Sequence, residues 1–525
     1  MTCLVASAFV CGVGAQQPAR GPDPLSLGRI DFPTSGAAPA QPAFIRGVLL
    51  LHSFEYDDAI AAFREAERID PPFAMAYWGE AMCFNQPLWD NENLDKARDA
   101  VARMQQAIRT RPVTPRERLY AAAVQRLFGQ EDKTARGRAY AAAMSELLRA
   151  YPEDQEAAAF NALALLTTDP LRAGAIASDI LVKNPQHPGA AHYVLHAYGS
   201  VEHAAKGLAA ARTYARIAPA SSHARHMPSH VFLPLGLWDE AAAADASAFA
   251  ASLEWVRRHQ ASEAQADFHS LSWLHYEYLQ QGRFAKAAGL QQVVERAAAL
   301  PAAGGPHQHV ETEIGRGFGP IALKSELASL RARLVVEGGR WSEMAGRATF
   351  DNVDELFALG IASVRLGDAA RARAAIDHMA RAVDAAPDPD HRQLADIMRL
   401  ELSGALQSVS GDPAGALDAL SAAARLEGKR PPPNARPYPI KPAIELYAET
   451  LLDGGRPREA AEQFRASLAR TPRRAASLIG LARSQDAAGL HAEAQRTARE
   501  FLEMWRLADP DRPEPARARA ILTRR

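Results

Sequence analysis

Six histidines, His192, His196, His203, His223, His226 and His230, fall between Pro188 and Trp238, about a tenth of the 525-residue chain. Imidazole titrates near neutral pH, and in its neutral form it is the commonest metal-ligating side chain. Residues three, four or seven apart share one face of an α-helix, so His192 with His196, and His223 with His226 and His230, each predict an imidazole stripe. Three or more converging imidazoles suit Zn, Cu, Fe or Ni. The same stripe on the wall of a solvent-lined groove offers hydrogen bonds to a peptide instead. Pro228 complicates the second stripe. It removes a backbone donor and disfavours helix at Met227, so the spacing predicts a helix starting at Pro228, with His223 and His226 on the approach turn.

Other chemistries leave weaker traces. His192-Tyr193-Val194-Leu195-His196 has the spacing of a zinc-protease helix but lacks the Glu after the first His that serves as general base. His307, His309, Glu311 and Glu313 occupy a Gly- and Pro-rich segment that either closes over a groove to supply a base or is a solvated loop. The sequence contains no Gly-rich phosphate loop, no Gly-x-Ser-x-Gly elbow and no haem-attachment Cys pair. Any catalysis therefore rests chiefly on the histidines, and whether there is an enzyme here stays open.

The elements that must position these residues are helical. Apolar residues recur at helical rather than alternating spacing, and strand-forming runs are scarce. A chain of this length is too long for one compact core, which points to several domains or a repeat array. The net charge of -1 supplies no basic field for nucleic acid or an anionic membrane. No run after the first residues approaches the roughly 20 apolar residues needed to span a bilayer.

Phe54 to Pro71, FEYDDAIAAFREAERIDP, and Gly455 to Pro472, GRPREAAEQFRASLARTP, share their punctuation of small residues, a Phe and a closing Pro. Pro185 and Pro219 close two units one repeat apart, and turn glycines recur at Gly236, Gly282, Gly339, Gly367, Gly411 and Gly489. This pattern resembles the tetratricopeptide repeat, a 34-residue helix-turn-helix unit, and about ten to twelve such units fit between Gln41 and Trp505. The resemblance implies an all-α, right-handed superhelical solenoid whose stability is spread along the stack. It also implies an orientation, because the first helix of each unit lines a concave groove. The groove positions are then His52 in the first unit, Trp78, Met82, Asn85 and Gln86 in the second, His192 and His196, His223, His226 and His230, and His269 in later ones. Trp89 lies just beyond. Trp78 and Trp89 beside amides suit a peptide or small-ligand groove, and inter-repeat core is the alternative. Farther on, Glu445, Glu449 and Arg483 take the groove positions.

The expected organisation is a signal peptide over residues 1–15, a Pro-rich flexible linker over 16–39, a repeat array over 40–301 and a Gly/Pro-rich loop over 302–324. A middle array over 325–428, a Pro-rich linker over 429–442, a C-terminal repeat pair over 443–508 and a tail over 509–525 follow. The apolar run MTCLVASAFVCGVGA ends in small residues before a polar spacer, which predicts export with cleavage after Ala15, although no Lys or Arg opens it. Cys3 and Cys11 leave with that segment, so Cys83 is the one remaining thiol and is expected as a buried small hydrophobe. Tyr77 to Met82, YWGEAM, and His223 to His230, HARHMPSH, are similar to blocks in a group of exported bacterial tetratricopeptide proteins. That resemblance implies the fold and export but no activity. The functional expectation is an exported scaffold binding a protein, peptide or small molecule in a His-lined groove. A metal-binding protein or metal-dependent enzyme using His192, His196, His223, His226 and His230 is the alternative.

Overall fold

A computed structural model describes residues 26–88, 91–300, 320–347, 352–385 and 388–524. The expected signal peptide, Trp89 and the segment carrying His307, His309, Glu311 and Glu313 lie outside the described residues. The rest is helical. Among the described residues the only strands are Asn85–Gln86 and Asn91–Glu92, which pair antiparallel with Asn85 opposite Glu92 and Gln86 opposite Asn91.

Consecutive helices form antiparallel hairpins, and in most places the first helix of one hairpin also packs on the first helix of the next. Gln41–His52 packs on Ala74–Cys83, Ala74–Cys83 on Pro115–Leu127, Gln155–Leu165 on Pro188–Ala197, and Ala443–Asp453 on Ala475–Ala487. The repeat register is visible in one contact. A Cβ on Gly79 would stand 2.2 Å from the ring of Phe63, and a Cβ on Gly480 would stand 2.3 Å from the ring of Phe464. In both units a glycine admits an aromatic ring 16 positions earlier, so the two helices approach more closely than any side chain would allow. Gly236, Gly282, Gly339, Gly367, Gly411 and Gly489 all adopt positive φ, as the turns that end their first helices require. Polar caps start the helices that matter below. Asp154, Ser221 and Asp267 each accept a backbone N–H of the first turn, an arrangement worth about 1 kcal/mol per helix.

The solenoid curls tightly. Gln41–His52 touches Pro188–Ala197 across several intervening repeats, so the first unit meets the His-rich one. The C-terminal units return to the middle of the chain. Trp238 Nε1 donates to the carbonyl of Arg473 at 2.9 Å, and Trp505 Nε1 donates to the carbonyl of Gln280 at 2.7 Å.

Two expected linkers are packed structure instead. Within the supposedly flexible residues 16–39, the described part from 26 onward is anchored. Phe32 is buried against Phe44, Trp78 and Tyr120, while the backbone N–H groups of Ser35 and Ala37 donate to Glu117 and Asp70 at 2.7 Å. The Pro-rich stretch 429–442 is likewise a packed strap. Ile440 is buried, Arg333 donates to the carbonyl of Pro437 at 2.5 Å, and the Tyr438 hydroxyl donates to Asp354 at 2.6 Å. The tail contains a further helix, Glu514–Leu522, whose Ala518 and Ile521 enter the core. Cys83 is buried, with its Sγ 3.3 Å from the carbonyl of Gly79. No described helix is long and apolar enough to cross a membrane.

Candidate metal centre

Three stretches of chain bring the histidines together. Pro188–Ala197 starts where the His187 side chain accepts the Ala190 N–H, and it carries His192 and His196 one turn apart. Ser222–His226 starts at the Ser221 cap and runs on through Met227 and Pro228 into Ser229–Phe232. As Pro228 predicts, the chain divides there into two short helices, Ser222–His226 and Ser229–Phe232 with Pro228 as the N-cap of the second, but the backbone between them stays right-handed. Met227 is buried and helical, with φ -52 and ψ -32, its N–H donates to His223, and the His230 N–H donates back to Met227. Core packing of Met227 outweighs the local preference of a residue before proline. His223, His226 and His230 therefore do share a stripe. His269 comes from Phe268–Gln280, which Asp267 caps.

The stripe is divided between two triads. His192, His196 and His223 form one and His226, His230 and His269 the other, and in each triad one ligand atom per residue lies within 4.8 Å of the other two. In the first triad His192 Nε2 is 3.0 Å from His196 Nε2 and 3.1 Å from His223 Nε2. In the second, His226 Nε2 is 3.1 Å from His230 Nε2. His192 and His226 are buried, His196 and His230 half-buried, and His269 sits at the exposed rim.

The tautomers follow from what the other ring nitrogens face. His192 Nδ1 lies 2.7 Å from the backbone carbonyl of His52. A carbonyl only accepts, so Nδ1 carries the proton and Nε2 presents a lone pair to the triad. His226 Nδ1 lies 2.5 Å from Oδ1 of Asp245 and donates to it, which leaves its Nε2 lone pair toward His230. Burial opposes charging the rings. It holds His192 well below the ordinary imidazole range and His226 at about 4, so both are neutral at neutral pH. The geometry is one that hydrogen bonding cannot complete. His192 Nε2 has a single lone pair for two neighbouring Nε2 atoms, whereas one cation between the three would engage every lone pair at once.

Supporting residues surround this cluster. His52 is fully buried. Its Nε2 is 2.7 Å from Glu156 Oε2 and its Nδ1 is 2.9 Å from the Tyr193 hydroxyl, while His187 Nε2 is 3.2 Å from Glu156 Oε1. His187 Nδ1 accepts from Ala190, so its Nε2 carries the ring proton on the side that faces Glu156. Burial opposes ionisation of Glu156, but His187 and His52 outweigh it and hold the carboxyl down at about 2. These three also stand close enough to ligate; His52 Nε2 is hydrogen-bonded to Glu156 Oε2, while His187 Nε2 and Glu156 Oε1 face each other at 3.2 Å without a hydrogen bond of good geometry. Behind His226, Asp245 lies against Glu277, and burial first and the neighbouring Asp245 carboxyl second raise Glu277 well above the ordinary carboxylate range. Phe54 adopts φ 55, a conformation non-glycine residues rarely take, and its ring stacks on His196 and His223.

The cluster opens onto a cavity of about 860 Å³ lined by His196, His223, His226, His230 and His269 together with Gln86, Leu88, Trp255 and Asn434. Of the residues expected in the groove, Gln86 faces this cavity, and its Oε1 accepts from Asn91 at 3.0 Å. Asn85 pairs with Glu92 in the small hairpin beside it. Trp78 and Met82 are core rather than groove. Trp78 is fully buried among Phe32, Tyr120 and Phe160, because the segment before the first helix packs over it. His52 is buried beneath the first triad instead of facing a groove. Sequence reasoning missed Asp245, Glu277 and Glu156, acidic residues at ordinary helix positions. The stretch from Val256 to Asp267 completes Trp238–Arg258 and then furnishes Gln265, Ala266 and Asp267 to the cavity wall.

Fold and site together define an all-α solenoid of antiparallel helix hairpins with a six-imidazole cluster on one group of first helices. No family model and no curated protein matches the chain. Solved structures do. The hetero-tetramer Cut9-Hcn1 of APC/C is 12% identical over 94% of this chain and 77% of its own, with a TM-score of 0.30. The human IFIT1 dimer with m7Gppp-AAAA is 12% identical over 83% and 90%, with a TM-score of 0.37. Naa15/Naa10 bound to HypK-THB is 14% identical over 92% and 73%, with a TM-score of 0.24. The likeness is one of helical-repeat architecture and carries nothing about activity.

Proposed function

We propose that this chain is a metal-binding solenoid that holds first-row transition metal, drawn from Zn, Cu, Fe or Ni, at His192, His196 and His223 and at His226, His230 and His269. The observation that carries the reading is the convergence of Nε2 atoms at 3.0 to 3.1 Å, with the opposite nitrogens of His192 and His226 held by a carbonyl and a carboxylate. Metal-ligating histidines are commonly oriented in this way, the second nitrogen donating to a carbonyl or carboxylate that fixes the tautomer. Ligands that are already neutral also give up no protons to the metal.

Elemental analysis of full-length, tag-free protein after gel filtration tests the proposal, with about one to two equivalents of metal expected per chain. Replacing His192 or His226 by Ala should lower that figure while circular dichroism stays unchanged, since stability in a repeat stack is distributed. Wild type that stays metal-free after reconstitution with each of the four metals would sink the reading. A groove ligand is the second reading, favoured by the cavity of about 860 Å³ and its amides Gln86 and Asn434. Binding of a peptide or small molecule that is unaffected by stripping metal would support it. Export belongs to the same proposal and rests on the apolar run before Gln16. A mature N-terminus at Met1 on cytosolic protein would refute it.

A further inference from the structure

The two triads are not separate sites. Within the first, ring centroids lie 4.7, 4.9 and 6.3 Å apart, and in the second His226 lies 5.0 Å from His230 and 4.7 Å from His269. Across the two, His196 lies 6.1 Å from His230 and His223 lies 6.3 Å from His226. Spacings between triads fall within the range found inside them, so six imidazoles form one continuous cluster. One stretch of chain, two short helices joined at Met227 and Pro228, feeds both halves, His223 to one and His226 and His230 to the other.

The donor set is uncharged. The nearby carboxylates are engaged elsewhere. Asp267 accepts from the N–H and hydroxyl of Ser270, and Asp245 takes the Nδ1 proton of His226 on the side away from the triad. Two divalent ions here would set four positive charges side by side with no ligating anion between them. Two cuprous ions halve that charge, and copper(I) is content with three nitrogen ligands where Zn, Fe and Ni seek four or more. Copper(II), the state the pair would reach on oxidation, stands at the top of the affinity order of divalent first-row metals for such sites. Each triad supplies three nitrogens, and both face the same cavity, so the remaining coordination positions are reached from one space.

Resting on the metal-binding reading above, we propose that the two triads form one paired copper site that binds dioxygen entering through this cavity. In the binding step each cuprous ion gives up one electron, and dioxygen accepts both. The product is peroxide held between two cupric ions. The oxygen–oxygen bond order falls from two to one, no bond to the protein forms or breaks, and neither a proton nor an outside reductant enters. Reversal of the same step releases dioxygen.

The test loads full-length protein with copper(I) under anaerobic conditions and then admits dioxygen. The expected result is about two copper ions per chain, about one dioxygen taken up per copper pair, a new near-ultraviolet charge-transfer band and no cupric paramagnetic resonance signal, because the paired spins couple. His230→Ala should leave about one copper per chain, cut dioxygen uptake by on the order of tenfold or more, and make cupric copper visible by paramagnetic resonance. Should that variant fail to fold by circular dichroism, His269→Gln at the cavity rim reads the same loss. Two coppers per chain with no dioxygen uptake, with uncoupled cupric signals, or with uptake merely halved in His230→Ala would overturn the paired site and leave metal binding standing. Displacement of copper by zinc at equal concentration would do the same. A wild type that retains none of the four metals would remove the metal reading and this inference with it.

Discussion

Gly189 packs directly on the imidazole of His52: a Cβ at Gly189 would stand 2.3 Å from His52 Nδ1. The two residues belong to the first repeat and the His-rich one, which meet only because the solenoid curls back on itself. The contact seats the start of Pro188–Ala197 against the carbonyl that orients His192. Gly189→Ala should therefore push the helix start away, costing on the order of 1–3 kcal/mol by overpacking. Urea denaturation should register the loss, and elemental analysis should show metal leaving the first triad ahead of the second.

Glu156 lies beneath the same contact, with one oxygen hydrogen-bonded to His52 Nε2 and the other 3.2 Å from His187 Nε2. A glutamine there offers only one acceptor oxygen and turns a donor toward one of the rings. Glu156→Gln should cost about 2 kcal/mol or more, because a buried donor loses its partner. The check is the urea midpoint with the m-value constant.

Trp78 tests the corrected assignment of core against groove. Trp78→Ala should cost about 3–5 kcal/mol and leave the metal content of folded protein unchanged. Weakened metal or ligand binding at unchanged stability would restore the groove assignment.

Much of this was legible in the sequence, for identifiable reasons. The Phe63–Gly79 pairing and its counterpart at Phe464 and Gly480 are local, and a repeat prints local contacts at a fixed interval. The pairs His192/His196 and His226/His230 were legible because helical spacing alone puts them on one face. What could not be read depends on the curvature of the stack. No periodicity says that the His52 carbonyl reaches His192, that Asp245 backs His226, or that Phe32 covers Trp78. Pro228 does mark a helix boundary, but the preference against a helical conformation at the residue before it gives way to the buried, right-handed Met227. The Pro-rich segments misled because proline fixes φ without saying whether the extended chain is solvated or packed. Phe32 and Ile440, apolar residues inside those segments, were the available signal.

The acid limb of stability should depend on Glu445. It is fully buried and pairs with Arg474 at 2.8 Å and Lys441 at 2.8 Å. Burial opposes its ionisation, but Arg474 and Lys441 outweigh it and hold the carboxyl at about 2, against an ordinary value of 4.5. A depressed carboxyl contributes its stabilisation above the unfolded value and loses it as the pH falls through the folded one. Stability should thus drop between pH 4.5 and about 2, and Glu445→Gln should flatten that drop. The same variant should be less stable at neutral pH by roughly 3–5 kcal/mol, since it leaves buried cations short of a partner. Denaturation midpoints of both proteins across that pH range decide the matter.

Asp245 separates orientation of a ligand from the ligand itself. Its Oδ1 accepts a hydrogen bond from His226 Nδ1, while the buried Glu277 carboxyl lies next to it, raised well above its ordinary range. An asparagine keeps an acceptor toward His226 and turns its amide to Glu277, so Asp245→Asn should preserve the tautomer and most of the metal affinity. A leucine removes the acceptor. The His226 ring is then free to carry its proton on Nε2, where it blocks coordination, and loss of such an orienting partner typically weakens metal binding by about 10–100-fold. Competition titration of copper or zinc against a chromophoric chelator should show this loss in Asp245→Leu for the second triad, with the first triad unchanged. Equal affinities in the two variants would mean that the carboxylate serves folding alone and that His226 does not depend on it for its orientation.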